Sequence, residues 1–147
     1  MKNGVICMTD PACLVDSNLL VYAHEPSSPK HAAASDLVEW FIASKSGVLS
    51  VQNLAEFCAV ALEKRNNLLT REAADAAIDD FSRFFRMISY GSSTVREALR
   101  IRNATGTHFY DALLAATMIE NGVGTIYTEN ADDFQKIPGI KAVNPFV

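Results

Sequence analysis

Several residue types and sequence features are scarce in this 147-residue chain, and each scarcity excludes a class of protein. The 3 cysteines have no CxxC spacing, so neither a disulfide framework nor a zinc site is expected. No apolar run approaches the roughly 18 residues that span a bilayer, and the start of the chain lacks the apolar stretch of a secretory signal. Repeats, low-complexity tracts and linkers are also lacking. We therefore expect a cytoplasmic protein with reduced thiols and no membrane association.

The chain also lacks an excess of positive charge. Its formal net charge is −4, with 13 Lys and Arg residues against 17 Asp and Glu residues. This balance argues against a generic electrostatic binder of nucleic acid, which is normally basic. It does not exclude a nuclease, because an acidic metal site lowers the net charge while its bound ion restores attraction locally. For short basic groups such as Lys64-Arg65 we expect a solvated face, with contact to a substrate backbone as the alternative.

Apolar sequence is sufficient for one core. Hydrophobic residues make up 49% of the chain, and its length is typical of one compact domain. We predict a single domain over residues 1–147, with residues 1–11 as a loose N-terminal extension, because core-like patterning begins near Ala12. Met8 is then a second candidate for the start codon.

Short apolar runs alternate with stretches of helical periodicity, which predicts a parallel sheet covered by helices on both faces. Ser28 and Pro29 have the residue types of a helix N-cap and first helical position, and Ala33 and Trp40 are expected to face the core from that helix. The predicted fold class is α/β, a three-layer α/β/α sandwich with a short sheet of four to five strands. The predicted strands cover residues 12–15, 48–51, 87–90 and 125–128, with an edge strand over 141–146.

Four acidic residues lie in or beside apolar sequence near the predicted strand ends. Asp16 ends the first strand, Glu56 lies early in the helix after the second, Asp133 follows the fourth, and Asp111 opens the helix before the fourth. Parallel α/β sheets place ligand sites beyond the carboxyl ends of their strands, so we expect these side chains to converge. Converging carboxylates repel one another, and a divalent cation is their natural partner. An ion held in this way favours phosphoryl-transfer chemistry.

Each of these acids also has an ordinary structural explanation. Asp16 is a suitable helix N-cap, and Asp111 is favoured by the helix dipole in a first turn. For Glu56 the ordinary explanation is a solvated position on a helix. For Asp133 it is an exposed position in a loop beside Asp132. Taken singly, these explanations are preferred for Glu56 and Asp133. The combination of four acids at one sheet edge favours a shared site.

Three segments of the chain resemble the PIN-domain family, and in particular its VapC-type toxins. Residues 14–23 (LVDSNLLVYA) are similar to the opening of the family, and residues 111–117 (DALLAAT) to its third acidic motif. Residues 128–134 (TENADDF), with the segment after them, resemble the closing part of VapC-type members. The resemblance implies an α/β/α sandwich, dependence on Mg²⁺ or Mn²⁺, and ribonuclease activity selective for single-stranded RNA.

The resemblance also implies roles for particular residues. Asp16, Glu56 and Asp111 match the three principal acidic positions and are the expected catalytic residues. Asp16 and Asp111 are the expected metal ligands, and Glu56 is expected to orient the attacking water or act as its base. Asn18 and Thr128 match polar positions that support the acidic cluster.

The fourth acidic position departs from the commonest family pattern. Some members have an aspartate where this chain has Asn130, and the acid here is Asp133. We expect Asp133 to be the fourth catalytic acid and Asn130 to support the cluster. Asp132 and Glu129 remain alternatives for this position. A neutral fourth ligand weakens a second metal site, so the number of ions, one or two, stays open.

VapC-type membership implies an RNA substrate, a homodimer and a cognate antitoxin. We expect the antitoxin to insert an amphipathic segment into an apolar groove, for which residues 37–41 and 54–62 are candidates beside their core packing. It is also expected to place a basic side chain among the acids. The alternative function is a PIN-like binding or scaffold module without turnover. A phosphatase of the haloacid dehalogenase type is disfavoured because Asn18 stands where its second aspartate belongs.

Overall fold

The structure is a computed structural model that describes residues 11–147. The expectations for residues 1–10, including a start codon at Met8, lie outside the described residues. None of the helices formed by residues 11–147 combines the length and apolar character that crossing a membrane requires. In chain order the elements are β1 Cys13–Val15, α1 Ser17–Ala23, α2 His31–Ser44, β2 Gly47–Ser50, α3 Val51–Ala59, a π-helical turn Val60–Lys64, α4 Arg71–Phe84, β3 Arg86–Ile88, α5 Ser92–Thr105, α6 Phe109–Glu120, β4 Thr125–Tyr127, α7 Ala131–Gln135 and β5 Lys141–Val143.

The five strands form one parallel sheet in the order β3-β2-β1-β4-β5. The chain moves outward from β1 through β2 to β3, and then returns to the other side of β1 to form β4 and β5. This reversal creates a topological switch point between β1 and β4. Open parallel sheets bind ligands at such a point, beyond the carboxyl ends of the strands.

Alternate strand residues point to opposite faces of the sheet and contact separate helical layers. Leu14, Val48 and Ile126 pack with apolar residues of α5, α6 and α7 on one face. Val15 and Leu49 pack with residues of α1, α2, α3 and α4 on the other. Helices on both faces of one sheet confirm the predicted three-layer sandwich. They also explain why the strands have continuous apolar runs, since neither face is solvated.

The predicted strands are all present, with boundaries that differ by a few residues. Val51 was expected to end the second strand but begins α3, because a capping box turns the chain there. The Ser50 hydroxyl accepts a hydrogen bond from Asn53 N at 3.1 Å, and Asn53 Oδ1 accepts one from Ser50 N at 2.9 Å. This reciprocal pair sets the start of α3 and therefore the position of Glu56 along it.

Helix α2 differs from the prediction in its start and in the placement of Ala33 and Trp40, which were expected to face the core and are exposed. It begins at His31 with Lys30 as N-cap, and the Ser28 hydroxyl instead accepts a hydrogen bond from Lys30 N at 3.1 Å within the preceding turn. The expectation that Trp40 faces the core is wrong, since 50% of its surface is exposed. Trp40 lies on the flank of the helix, because residues spaced by three and four positions form the face that packs against the sheet, and Trp40 is not among them. The buried residues are Ala34, Val38 and Phe41.

Candidate functional site

Asp16 occupies the carboxyl end of the central strand β1 and is only 6% exposed. One carboxylate oxygen accepts hydrogen bonds from Ser17 N at 2.8 Å and Asn53 Nδ2 at 3.3 Å. The other accepts a bond from Thr128 Oγ1 at 2.7 Å. Thr128 directly follows β4, so this bond joins the two strand ends that flank the switch point. Thr128 Oγ1 in turn accepts a bond from Asn130 N at 3.0 Å, which orders the loop after β4.

Glu56 reaches the same sheet edge from α3. Its carboxylate accepts hydrogen bonds from Ser17 Oγ and from Gln52 Nε2, each at 3.3 Å. Gln52 Nε2 also donates to the backbone oxygen of Tyr110 at 3.0 Å. Tyr110 immediately precedes Asp111 in the first turn of α6. Gln52 therefore connects the helix that carries Glu56 with the helix that carries Asp111.

Side chains from four separate segments meet in one cavity at this edge. The three acids predicted from the sequence to be principal, Asp16, Glu56 and Asp111, all line it. Asn18 and Asn130, predicted as supporting residues, line it as well. The remaining lining residues are Ser17, Ala59, Val60 and Lys64.

Burial and like charge raise the pKa values of all three acids in the cavity. Burial, and then the charge of Glu56, raises the pKa of Asp16 from its ordinary 3.8 to about 6, against the hydrogen bonds that lower it. Burial, followed by the charges of Asp16 and Asp133, raises the pKa of Asp111 to about 6, with His108 acting in the opposite direction. Burial and the charge of Asp111 also raise the pKa of Glu56. Each ionised acid thus opposes ionisation of the next, a cost that a cation relieves.

Asp133 lies outside the lining of the cavity. It is in the first turn of α7, its side chain is 37% exposed, and it accepts a hydrogen bond from Lys136 Nζ at 3.3 Å. Its charge nevertheless raises the pKa of Asp111. Asp133 is therefore an electrostatic neighbour of the cavity and not part of its wall.

Glu129 is engaged on the far side of the loop after β4. Both of its carboxylate oxygens lie 3.0 Å from Tyr22 Oη, whose single proton they share as acceptors, and one contacts Lys30 Nζ. Asn144 Nδ2 donates to the Glu129 backbone oxygen at 3.3 Å. These contacts fasten the loop to α1 and to the C-terminal segment. Of the four alternatives for the fourth acidic position, all within residues 11–147, only Asn130 lines the cavity.

The donor atoms around the cavity suit a hard divalent cation. Three carboxylates supply oxygen atoms, the ligand type that such ions prefer. Asn18 Oδ1 is buried and receives no hydrogen bond from any described residue, whereas buried polar atoms normally have a partner. Within residues 11–147, no three His, Cys, Asp or Glu side chains are close enough to form a preassembled metal-ligand group. The three carboxylates therefore line one cavity but are not within the distance of one another that an ion shared by all three requires.

Sequence reasoning missed two polar residues of this region and left a third undecided. Gln52 and Asn53, the two that were missed, position Glu56 and Asp16. Lys64, for which a solvated face was expected and contact to a substrate backbone was the alternative, is a basic residue in the cavity wall. Two local signals were available. Gln52 precedes Glu56 by one helical turn, and Asn53 has the spacing of a capping partner for a serine. No local signal places Lys64, because its position depends on a π-helical turn.

The fold and the cavity define a class of protein: a parallel α/β/α domain with a carboxylate-rich site at its topological switch point. Residues 13–140 match the PIN domain. The chain therefore belongs to the PIN-domain family. This match spans most of the chain, including every segment that contributes to the cavity.

Solved structures with the same fold include toxin–antitoxin proteins. One is VapBC2 from Rickettsia felis bound to a DNA fragment from its promoter. The match has a TM-score of 0.67 and 18% identity, and it covers 90% of this chain and 98% of the other. Mycobacterium tuberculosis VapC20, a sarcin–ricin loop cleaving toxin, has a TM-score of 0.64 and 19% identity, covering 82% and 92%. DNA-bound VapBC from Salmonella typhimurium has a TM-score of 0.67 and 16% identity, covering 92% and 99%. At these identities the likeness shows the fold alone. No curated protein matches the sequence.

Proposed function

We propose that this protein is a divalent-metal-dependent endoribonuclease that cleaves single-stranded regions of RNA and acts as the toxin of a toxin–antitoxin pair. The observation that carries the proposal is the meeting of Asp16, Glu56 and Asp111 in one cavity at the switch point of the sheet. Membership of the PIN-domain family supports a nuclease. The likeness to VapC20, a toxin that cleaves the sarcin–ricin loop, supports RNA as the substrate class.

Asp16 and Asp111 are the proposed ligands of Mg²⁺ or Mn²⁺, and Asn18, whose buried Oδ1 has no hydrogen-bond partner among the described residues, lines the same cavity. A bound ion supplies Lewis-acid polarisation of the scissile phosphate and offsets the charge of the carboxylates. Asp16 is held in one orientation by its three hydrogen bonds. Glu56, positioned by Gln52, orients the attacking water and accepts its proton, a role that its raised pKa suits.

The remaining polar residues have supporting roles in this proposal. Thr128 and Asn53 orient the Asp16 carboxylate, as groups behind a ligand commonly do. Asn130 lines the cavity, and the negative charge of Asp133 raises the pKa of Asp111. We assign the fourth position to these two residues jointly, with Asp133 as the acid and Asn130 as the residue at the cavity surface.

A cleavage assay on single-stranded RNA tests the proposed activity. We expect wild-type protein to cut the RNA with Mg²⁺ or Mn²⁺ and to leave it intact in EDTA. Asp111→Asn should abolish cleavage, because it removes a charged ligand while retaining the side-chain shape. Asp75→Asn, which changes an exposed acid on α4, is the matched control and should cut at the wild-type rate. If the wild-type protein leaves the RNA intact in the presence of either ion, the alternative function is favoured, namely a PIN-like binding or scaffold module without turnover.

A cleft between α2 and α4 supports an antitoxin partner. Inserting an amphipathic segment into such an apolar groove is a common mode of recognition. The candidate segment 37–41 contributes to this cleft, whereas residues 54–62 do not line it. Leu54, Phe57 and Ala61 of that segment pack in the core instead. Phe84 is 46% exposed there. The apolar walls of the cleft are formed by Ala23, Val38, Ile42, Ala77, Phe81 and Phe84.

Inhibition by the product of a neighbouring small reading frame tests the partner. We expect that product to suppress RNA cleavage, in part by placing a basic side chain among the acids. Phe84→Asp should weaken the inhibition while leaving cleavage intact. Leu99→Asp is the control, since Leu99 is 56% exposed on α5, in the opposite helical layer. Loss of inhibition with Leu99→Asp alone would place the partner elsewhere.

A homodimer and a cytoplasmic location complete the proposal. Both are implied by the resemblance of the sequence to VapC-type toxins. Sedimentation of the purified protein tests the dimer, and fractionation of cells that express it tests the location.

A further inference from the structure

The acidic cavity has a basic side chain in its wall. Lys64 lines the cavity together with Asp16, Glu56 and Asp111. Within residues 11–147, the ion pairs involve other basic residues, and the Lys64 ammonium has no carboxylate partner. Lys64 therefore brings a positive charge to the cavity wall that no described carboxylate neutralises by direct contact.

A π-helical turn accounts for the position of Lys64. Glu56, Val60 and Lys64 follow at intervals of four residues, and all three line the cavity. In a continuous α-helix, residues four apart drift around the axis by roughly 40°. The turn Val60–Lys64 is instead closed by a bond from Arg65 N to Val60 O at 3.1 Å, which takes more residues per revolution and offsets that drift. Lys64 consequently stays on the same face as Glu56.

The adjacent cation, Arg65, has a different and structural duty. Its guanidinium donates to the two carboxylate oxygens of Glu25 at 3.0 and 3.2 Å and lies over the Tyr22 ring, 5.4 Å from its centroid. Both bonds come from Nη1, and hydrogen bonds between ionised groups are stronger than those between neutral groups. Arg65 thus fastens the end of the π-helical turn to the α1 region and leaves Lys64 beside the cavity.

We propose that Lys64 binds a backbone phosphate of the RNA that enters this cavity. This inference rests on the proposed nuclease function and adds a substrate-binding residue to it. The three acids repel a polyanionic substrate, and an ammonium in the same wall supplies a compact positive charge for a phosphate. Because Lys64 forms no ion pair with a carboxylate of residues 11–147, binding a phosphate does not require such a pair to be broken.

The salt dependence of RNA binding tests this role. Binding of a labelled single-stranded RNA is measured by fluorescence anisotropy over a series of salt concentrations, in an Asp111→Asn background that prevents cleavage. Each phosphate contact to a single strand contributes about 0.7 to the slope of log K against log salt. We expect Lys64→Gln to reduce the slope by about 0.7 and to weaken binding several-fold at low salt, while Lys64→Arg retains both.

Lys141→Gln is the matched control. It removes an exposed lysine at the amino end of β5, the edge of the sheet opposite the cavity, and should leave the slope unchanged. In a cleavage-competent background, Lys64→Gln should raise KM with little change in kcat, as expected for a binding contact. An unchanged melting temperature would show that the fold is retained.

Two results overturn the inference while the nuclease stands. One is an equal salt slope for Lys64→Gln and its parent, and the other is an equal reduction by Lys141→Gln, which would indicate a general charge effect. A wild-type protein that neither binds nor cleaves RNA would instead overturn the proposed function, and the phosphate role of Lys64 with it.

Discussion

Asp16 and Asp133 follow neighbouring strands of the same sheet, yet their surroundings differ. Asp16 is 6% exposed and accepts hydrogen bonds from Ser17, Asn53 and Thr128. The Asp133 side chain is 37% exposed and is bonded by Lys136. A place after a strand is therefore not enough to define a site residue. The distinguishing features are burial and fixed donors directly at the strand end, next to the switch point.

Replacing each of the two aspartates is the strongest test of this comparison. We expect Asp16→Asn to reduce the rate of RNA cleavage by at least about 100-fold. The substitution removes the charge of a metal ligand, and the metal lowers the activation barrier by several kcal/mol. Asp133→Asn should reduce the rate by less than about tenfold, because its charge acts only through Asp111. Initial rates at saturating Mg²⁺ provide the measurement. Equal losses would show that Asp133 is itself a ligand and that the comparison is false.

Thr128→Val tests whether fixed donors matter to Asp16. The substitution keeps the shape but removes the 2.7 Å hydrogen bond to the carboxylate. We expect kcat to fall about 10- to 100-fold, the usual effect of losing a group that orients a metal ligand. Thr125→Val, at the other end of β4, is the control and should leave kcat unchanged. A Thr128→Val protein with wild-type kcat would mean that Asp16 needs no orientation.

The burial of Asp16 also predicts a pH dependence of stability in the metal-free protein. Its folded-state pKa of about 6 lies above the ordinary 3.8, so ionisation opposes folding. The penalty is complete above about pH 6, shrinks as the pH falls through that value, and disappears below 3.8, where both states are protonated. At about 1.4 kcal/mol per pKa unit, its upper limit is about 3 kcal/mol.

Denaturant unfolding in EDTA measures this effect. At about pH 8 the free energy of unfolding of the Asp16→Asn protein should equal or exceed that of wild type. The difference between the two proteins should shrink as the pH falls toward about 4. The Asp133→Asn protein is the comparison, and its difference from wild type should stay within about 0.5 kcal/mol at both pH values. An Asp16→Asn advantage that grows at low pH would contradict the raised pKa.

The smallest expected effect concerns the ion pair of Asp133 with Lys136. Exposed pairs of this kind contribute little, because solvent screens them and two long side chains must be ordered. We expect Lys136→Gln to change the free energy of unfolding by less than about 0.5 kcal/mol and to leave cleavage unchanged. A larger change in either quantity would indicate that the pair holds Asp133 in place for a role in the site.

Local sequence was informative where a structural feature depends on neighbouring residues. The apolar runs located the strands, and Asp16 could be singled out because it interrupts such a run at a strand end. The boundaries were less accurate, since the capping box of Ser50 and Asn53 starts α3 one residue earlier than the apolar pattern indicates. Gln52 has a local signal for its contact with Glu56, one helical turn away, but none for its contact with Tyr110, 58 residues away.

The loop after β4 shows the limit of local sequence most directly. Glu129 and Asn130 are adjacent polar residues, and the acid is the better metal ligand by residue type alone. In the folded chain Glu129 is bonded by Tyr22 and contacts Lys30, whereas Asn130 lines the cavity. No local pattern distinguishes the two, because their partners come from distant parts of the chain.

By itself the sequence determined the alternation of strands and helices, the covered parallel sheet and the acid that ends its central strand. These follow from side-chain periodicity, which the backbone geometry of each element imposes over a few residues. Only the tertiary structure decided which polar groups meet. The order β3-β2-β1-β4-β5 brings Thr128 to Asp16 across 112 residues of chain, and a π-helical turn keeps Lys64 beside the acids. Such contacts depend on strand order and helix winding, neither of which a short stretch of sequence specifies.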